Sequence, residues 1–167
     1  MNKQALINAL FSSLGAFVCI GFLAYLNSSI EGAIWLIPPF GASMVLVMAV
    51  YDSPLAKPKN LILGHILSAL SGVIIFYLLG NTFISLGLGV ALAVFVMMMT
   101  NTVHPPAGAN PIIVILTGQS ISFVFLPVAV GAFIIVVFAY LYNKLLKRNY
   151  ICLLYKSDAA DEGHWVD

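Results

Sequence analysis

The sequence predicts an all-α integral membrane protein with four full transmembrane helices and two proline-broken half-helix elements, arranged as two helix–broken element–helix repeats. Three observations carry this reading. Of the 167 residues, 62% are apolar and 8% charged, against about 45–50% and about 25% in soluble domains. A small domain leaves much of its area exposed, so folding in water would not hide this excess. Apolar runs recur at the length a bilayer demands, about 20 residues rising 1.5 Å each across roughly 30 Å of hydrocarbon. Finally, the string P-P-x-G-A-[S/N] occurs twice, as Pro38-Pro39-Phe40-Gly41-Ala42-Ser43 and Pro105-Pro106-Ala107-Gly108-Ala109-Asn110.

Residues 5–26 form the first run, behind Lys3. The run is too long for the core of a cleavable leader and matches a spanning helix, and no Arg-rich transit peptide is evident. Residues 33–50 are apolar but broken at Pro38-Pro39. Residues 61–79 span again, and Gly80-Asn81-Thr82 has turn chemistry. Residues 84–103 make the third span. Residues 107–117, directly behind His104-Pro105-Pro106, cover only about half the membrane as a helix. Residues 121–142 make the fourth span. From Lys144 the chain turns polar, and residues 158–167 are acidic, which predicts an amphipathic exit and a loosely ordered tail. The expected organisation is a transmembrane domain over 1–143, with repeats of about 1–79 and 80–143, and a cytoplasmic tail over 144–167.

Charge sets the orientation. Lys3 precedes the first span and Lys144, Lys147 and Arg148 follow the last. The positive-inside rule therefore puts both termini in the cytoplasm of a multi-pass protein of the cell inner membrane. If both broken elements cross, every basic residue, Lys57 and Lys59 included, is cytoplasmic and the halves have inverted topology. If both are re-entrant, the four full spans remain and the 51–60 loop moves outside. The two lysines favour crossing.

Several functions are excluded early. A net charge of +1 leaves no basic stripe for nucleic acid. Cys19 and Cys152 suit neither a disulfide framework nor a metal cluster. No H-E-x-x-H, G-x-S-x-G or P-loop occurs, so neither an enzyme nor a bound cofactor or metal is expected. Met97-Met98-Met99 reads as soft packing. The small-residue rows Gly64/Ser68/Gly72, Gly87/Ala91 and Gly89/Ala93 read as close helix contacts. Tyr25, Trp35, Tyr51 and Tyr142 stand near run ends, as in an interfacial belt.

Between Lys59 and Lys144 there is no Asp, Glu, Lys or Arg. A carboxylate-built cation site is therefore not expected, and the candidates that remain are two histidines, small polar side chains and the backbone. A helix that starts inside the membrane has N–H groups without intrahelical partners and a partial positive charge at its N-terminus. Two such starts near the midplane would attract a small anion without a fixed charge. In this reading Pro39, Phe40, Pro105 and Pro106 shape the openings. Gly41, Ala42, Gly108 and Ala109 present main-chain N–H groups, while Ser43 and Asn110 add side-chain bonds. His104, held extended ahead of Pro105, orients or gates the substrate. His65 reads first as a satisfied interhelical hydrogen-bonder, and Thr100 and Asn101 either line a vestibule or satisfy freed backbone groups. A chain this small is expected to form a homo-oligomer in the bilayer. The rival reading takes the breaks as packing kinks in a non-transporting assembly or regulatory subunit.

His104-Pro105-Pro106-Ala107-Gly108-Ala109 matches the signature of the HPP family of integral membrane proteins. Pro39-Phe40-Gly41-Ala42-Ser43 and the stretch from Asp52-Ser53-Pro54-Leu55-Ala56-Lys57-Pro58-Lys59-Asn60 to Gly64-His65 also resemble that family, with Lys57 where members often carry Gln. The resemblance implies a four-span protein, the count obtained when broken elements are taken as loops. Some bacterial members add a soluble regulatory domain, for which a tail of this length is not expected to leave room. Certain cyanobacterial and plastid members are linked to nitrite transport, so the resemblance implies nitrite as the leading substrate. Composition alone gives only a small anion or neutral solute.

Overall fold

The structure, a computed structural model, describes residues 2–150; the expected tail beyond Tyr150, with Cys152 and the acidic residues, lies outside the described residues. Among those described, every regular element is helical: α1 (Lys3–Ser29), α2 (Pro38–Ala49), α3 (Pro58–Leu79), α4 (Phe83–Met99), α5 (Asn110–Thr117) and α6 (Val130–Leu145). A 3₁₀ turn over Pro54–Ala56 precedes α3, and another over Pro105–Ala109 leads directly into α5.

The helix starts follow from local chemistry. Asn2 caps α1 by accepting from Gln4 N–H at 3.1 Å, and Thr82 and Ser85 form a reciprocal capping box on α4. Starts at Pro38, Pro58 and Pro105 put proline in the first turn, where its missing N–H is no loss. Ile37 and His104, each ahead of a proline, are extended as proline requires.

Among the described residues, three helices are long and apolar enough to cross a membrane: Lys3–Ser29, Pro58–Leu79 and Val124–Leu145. The third predicted span is shorter than its apolar run, because α4 stops at Met99 after 17 residues. Asn101 has a left-handed backbone (φ 52°). Asn101 N–H donates to Met98 O at 3.2 Å and Thr102 N–H to Met97 O at 2.9 Å, a Schellman ending in which Asn takes the place usual for Gly. Lys147 (φ 55°) ends α6 in the same way. The last span also departs from its sequence reading. Leu126, ahead of Pro127, is extended (φ −129°, ψ 120°) and interrupts the helix over Val124–Ala129.

Hydrogen bonds show how the elements run. Ser12 Oγ near the start of α1 donates to Met48 O at the end of α2 at 2.9 Å, and Trp35 N–H donates to Asn27 Oδ1. The first broken element therefore returns alongside α1. Asn60 Nδ2 at the start of α3 donates to Val103 O behind α4, so α4 returns along α3. The second broken element then follows α3 in α3's own direction, with Gly72 facing Pro111 and Gly118 reaching Phe76. Finally α6 comes back: Asn143 Nδ2 donates to Val47 O and Tyr150 Oη to Ala56 O. Each broken element thus links opposite ends of the bundle. The starts of α1 and α3 and the ends of α2, α4 and α6 share one end, and Lys3, Lys57, Lys59, Lys144, Lys147 and Arg148 all belong to segments at that end.

The core is built of Leu23, Phe40, Met44, Met48, Leu61, Val114, Val128 and Ile135, all buried. Phe17, Leu78 and Phe95 point outward and are more than half exposed, as a lipid-facing surface requires. Glycines set the closest approaches. A methyl group on Gly72 would stand 2.6 Å from Pro111 Cα, and one on Gly89 would stand 2.8 Å from Ile115 Cδ1. The expected packing rows are therefore real for Gly64/Ser68/Gly72 and Gly89/Ala93, whereas Gly87 and Ala91 face outward.

Candidate functional site

Four segments converge on one buried polar cluster. Ser43, one turn into α2, lies 2.8 Å from His65 Nε2 of α3 and 2.9 Å from His104 Nε2 at the second break. His104 Nδ1 is 2.8 Å from the carbonyl of Leu55 in the 54–56 turn. Asn110 Nδ2, at the head of α5, is 3.0 Å from both His65 Nδ1 and His65 O. All four side chains are fully buried. Phe40 meets the His65 ring edge-on at 5.4 Å, and the two imidazoles lie 5.1 Å apart.

Donor and acceptor capacity gives this cluster a direction. A carbonyl only accepts, so His104 Nδ1 carries hydrogen and donates to Leu55 O. His65 O likewise requires Asn110 Nδ2 as the donor, which makes His65 Nδ1 an acceptor and leaves the hydrogen of the neutral ring on Nε2. The chain then runs one way: Asn110 N–H to His65 Nδ1, His65 Nε2–H to Ser43 Oγ, Ser43 O–H to His104 Nε2, His104 Nδ1–H to Leu55 O. Each of these contacts is satisfied with both imidazoles neutral, and neither end can reverse. Asn110 Oδ1 is left over, a buried acceptor without a hydrogen-bond partner.

The surrounding residues hold this geometry. A methyl group on Gly64 would stand 2.8 Å from His104 Cβ and 2.9 Å from Thr102 O, so glycine is what lets the second break lie against α3. Ser68 Oγ donates to Ala107 O at 2.6 Å and fixes the 3₁₀ turn. Gly131 of α6 receives the Phe40 ring edge.

The predicted site residues divide. Ser43, His65, His104 and Asn110 come together, with Pro39, Phe40 and Pro106 buried around them. Gly41 and Ala42 are exposed; Gly41 lines an apolar cleft of about 400 Å³ with Ile20, Leu36, Ile37 and Pro38. Gly108 and Ala109 are half-buried, Pro105 is exposed, and Thr100 and Asn101 are exposed in the ending of α4. The amides expected to face a ligand, those of Gly41, Ala42, Gly108 and Ala109, come after first-turn positions whose amides are used or missing. The prolines carry no N–H, Phe40 N–H donates to Ile37 O, and Ala107 N–H donates to His104 O, both at 3.0 Å. Side chains, rather than main-chain amides, supply the hydrogen bonds where the two openings meet.

Sequence reasoning did not single out the Leu55 carbonyl. Its signal was Pro58, three residues on, which has no N–H to give Leu55 O in a continuing 3₁₀ turn. His65 was expected to bond between helices, and it does so at the centre of the cluster.

An all-helical bundle with an apolar exterior and this buried polar cluster defines an integral membrane protein. Residues 1–151 match the family described as HPP, transmembrane region, and the chain belongs to that family. It is similar to two transmembrane proteins of Dictyostelium discoideum. One is 36% identical over 150 residues, covering 83% of this chain and 48% of the relative. The other is 38% identical over 124 residues, covering 69% of this chain and 44% of the relative. The chain thus spans about half the length of these relatives. No solved structure matches it.

Proposed function

We propose that the protein carries a small inorganic anion across the membrane, with nitrite the leading substrate, by way of the Ser43–His65–His104–Asn110 cluster. The observation that carries this reading is the cluster itself, fully buried where two broken helices meet. Polar groups inside a membrane bundle are costly, and they mark substrate and ion paths more often than packing needs. Nitrite enters from the resemblance of the His104-Pro105-Pro106 and Pro39–Ser43 blocks to family members linked to its transport. The reading includes no enzymatic step, no cofactor and no nucleic acid.

The proposed topology has six crossings in two inverted halves, with both termini in the cytoplasm of the cell inner membrane. The gathering of six basic residues at one end supports this orientation. The cluster then lies off centre, since His65 is about 10 Å along α3 from its start at the basic end. A homo-oligomer is part of the proposal, and Gly87 and Ala91 offer a small-residue row on the outside of α4 for a second copy.

One observation favours the rival, a non-transporting assembly or regulatory subunit: the cluster is closed on itself, and the clefts lined by Gly41 do not include its members. Purified protein in liposomes decides between them. Nitrite flux above that of protein-free liposomes is expected, and His104→Ala should reduce it at least about tenfold with assembly intact by size-exclusion chromatography. Unchanged flux would remove His104 from the path, and absence of any protein-dependent flux would leave the assembly role.

A further inference from the structure

The cluster has two complete hydrogen-bonding arrangements in one fixed frame, and they differ by a single proton. In the first, both imidazoles are neutral and Ser43 O–H donates to His104 Nε2 at 2.9 Å. In the second, His104 Nε2 carries a proton and donates to Ser43 Oγ. The serine oxygen then accepts from both histidines and turns its own hydrogen to the Pro39 carbonyl, 3.2 Å away. His104 Nδ1–H stays on Leu55 O throughout. No heavy atom has to move between the two states.

The second arrangement adds one positive charge, and among the described residues no carboxylate hydrogen-bonds the cluster to balance it. The cluster is faced by Ser43 from α2, the Leu55 carbonyl from the 54–56 turn, His65 from α3 and Asn110 from α5. Neither α2, α4 nor Pro105–Thr117 carries an ionisable side chain. On α3 the other ionisable groups are Lys59 in the first turn and Tyr77 near the far end, and on α6 they are Tyr140, Tyr142 and Lys144 in the final turns. Asp52 and Lys57 flank the 54–56 turn. Among the described residues, none of these hydrogen-bonds the cluster. A lone imidazolium in such surroundings is costly, and so is a bare anion. Together they are neutral.

We propose that the anion crosses as an electroneutral pair with one proton, held on His104 Nε2 while the anion lies against that ring. This rests on the transport reading above. The proton comes from the aqueous side that supplies the anion and leaves with it on the other side, and no covalent bond of the anion forms or breaks.

The test uses the whole chain in liposomes, with nitrite as the probe and protein-free liposomes to subtract passive entry of nitrous acid. A pH difference of about one unit, inside alkaline, is imposed with the membrane potential clamped at zero by valinomycin and potassium; separately, a potential is imposed at equal pH. Protein-dependent accumulation approaching about tenfold under the pH difference, and none under the potential, is expected. Accumulation that follows the potential and ignores the pH difference would overturn proton coupling while leaving anion transport standing. No protein-dependent nitrite movement under either condition would overturn the transport reading itself. His104→Gln, which keeps an amide hydrogen-bonding group but holds no proton, should lose the pH-driven accumulation. Retention of that accumulation in a folded His104→Gln protein would also overturn the proposal.

Discussion

Gly64 shows how much rests on a single missing methyl group. Its backbone allows His104 and Thr102 to lie directly against α3, at distances where a Cβ would meet His104 Cβ at 2.8 Å and a carbonyl at 2.9 Å. Neither neighbour is the free end of a flexible chain, so Gly64→Ala must push the second break away from the cluster. Overpacking of this kind costs about 1–3 kcal/mol. Gly64→Ala is expected to lower the melting temperature in detergent and to reduce nitrite flux together, whereas Gly41→Ala, where a methyl group meets nothing within 4 Å, should leave stability unchanged. Thermal unfolding followed by circular dichroism checks both. The contrast also separates what residue types alone can say. The P-P-x-G-A-[S/N] string names Gly41 and Ser43 equally, yet successive helical positions turn by about 100°, and only Ser43 faces inward. A motif lists neighbours along the chain; the helix decides which of them face the protein.

At the scale of elements, the starts were legible and the stops less so. Proline opens a helical element at each broken element, as expected, while the Asn2 cap and the Thr82/Ser85 box start α1 and α4 at Lys3 and Phe83, just ahead of the apolar runs. The end of α4 is local too, but apolar periodicity hides it, since the run continues to Val103 while the left-handed Asn101 has already turned the chain. Asn tolerates that conformation better than residues with bulkier side chains. Asn101→Gly is therefore expected to be neutral or stabilising by a few tenths of a kcal/mol, and Asn101→Val to cost about 1–3 kcal/mol, as read from the shift in unfolding temperature. How the two openings meet was the least legible part. Free amides at a helix start are a sound general expectation, but a double proline removes two of them and the 3₁₀ bond of the third residue uses another. The same residues that announce a half-helix thus leave its first three positions without a free donor, and histidine, serine and asparagine bond to one another beside it.

For the whole molecule, the arrangement of ends predicts which loops share a side. Lys59 and the start of α1 lie at one end of the bundle, and Glu31, just past the end of α1, lies at the other. In a Cys152→Ser background, Glu31→Cys is expected to react with a membrane-impermeant maleimide added outside right-side-out vesicles. Lys59→Cys should react only after permeabilisation. Labelling of both from outside would make the first broken element re-entrant and bring back the four-span count. Cys19, buried in α1, contributes no background.

The start of α1 is fastened in part by residues from late in the sequence. Arg148 donates to Asn8 O, Ser12 Oγ and Met48 O and lies over the Tyr51 ring, while Tyr142 Oη donates to Phe11 O. Translation delivers α1 first and these partners last. The opening helix must therefore wait in the bilayer, its carbonyls and Ser12 without these partners, until the ribosome has made nearly everything described here. A chain cut before Tyr142 would lack every one of these bonds, while Ser12 Oγ would still have Met48 O of α2 to donate to, so the last residues described here complete what the first helix leaves open.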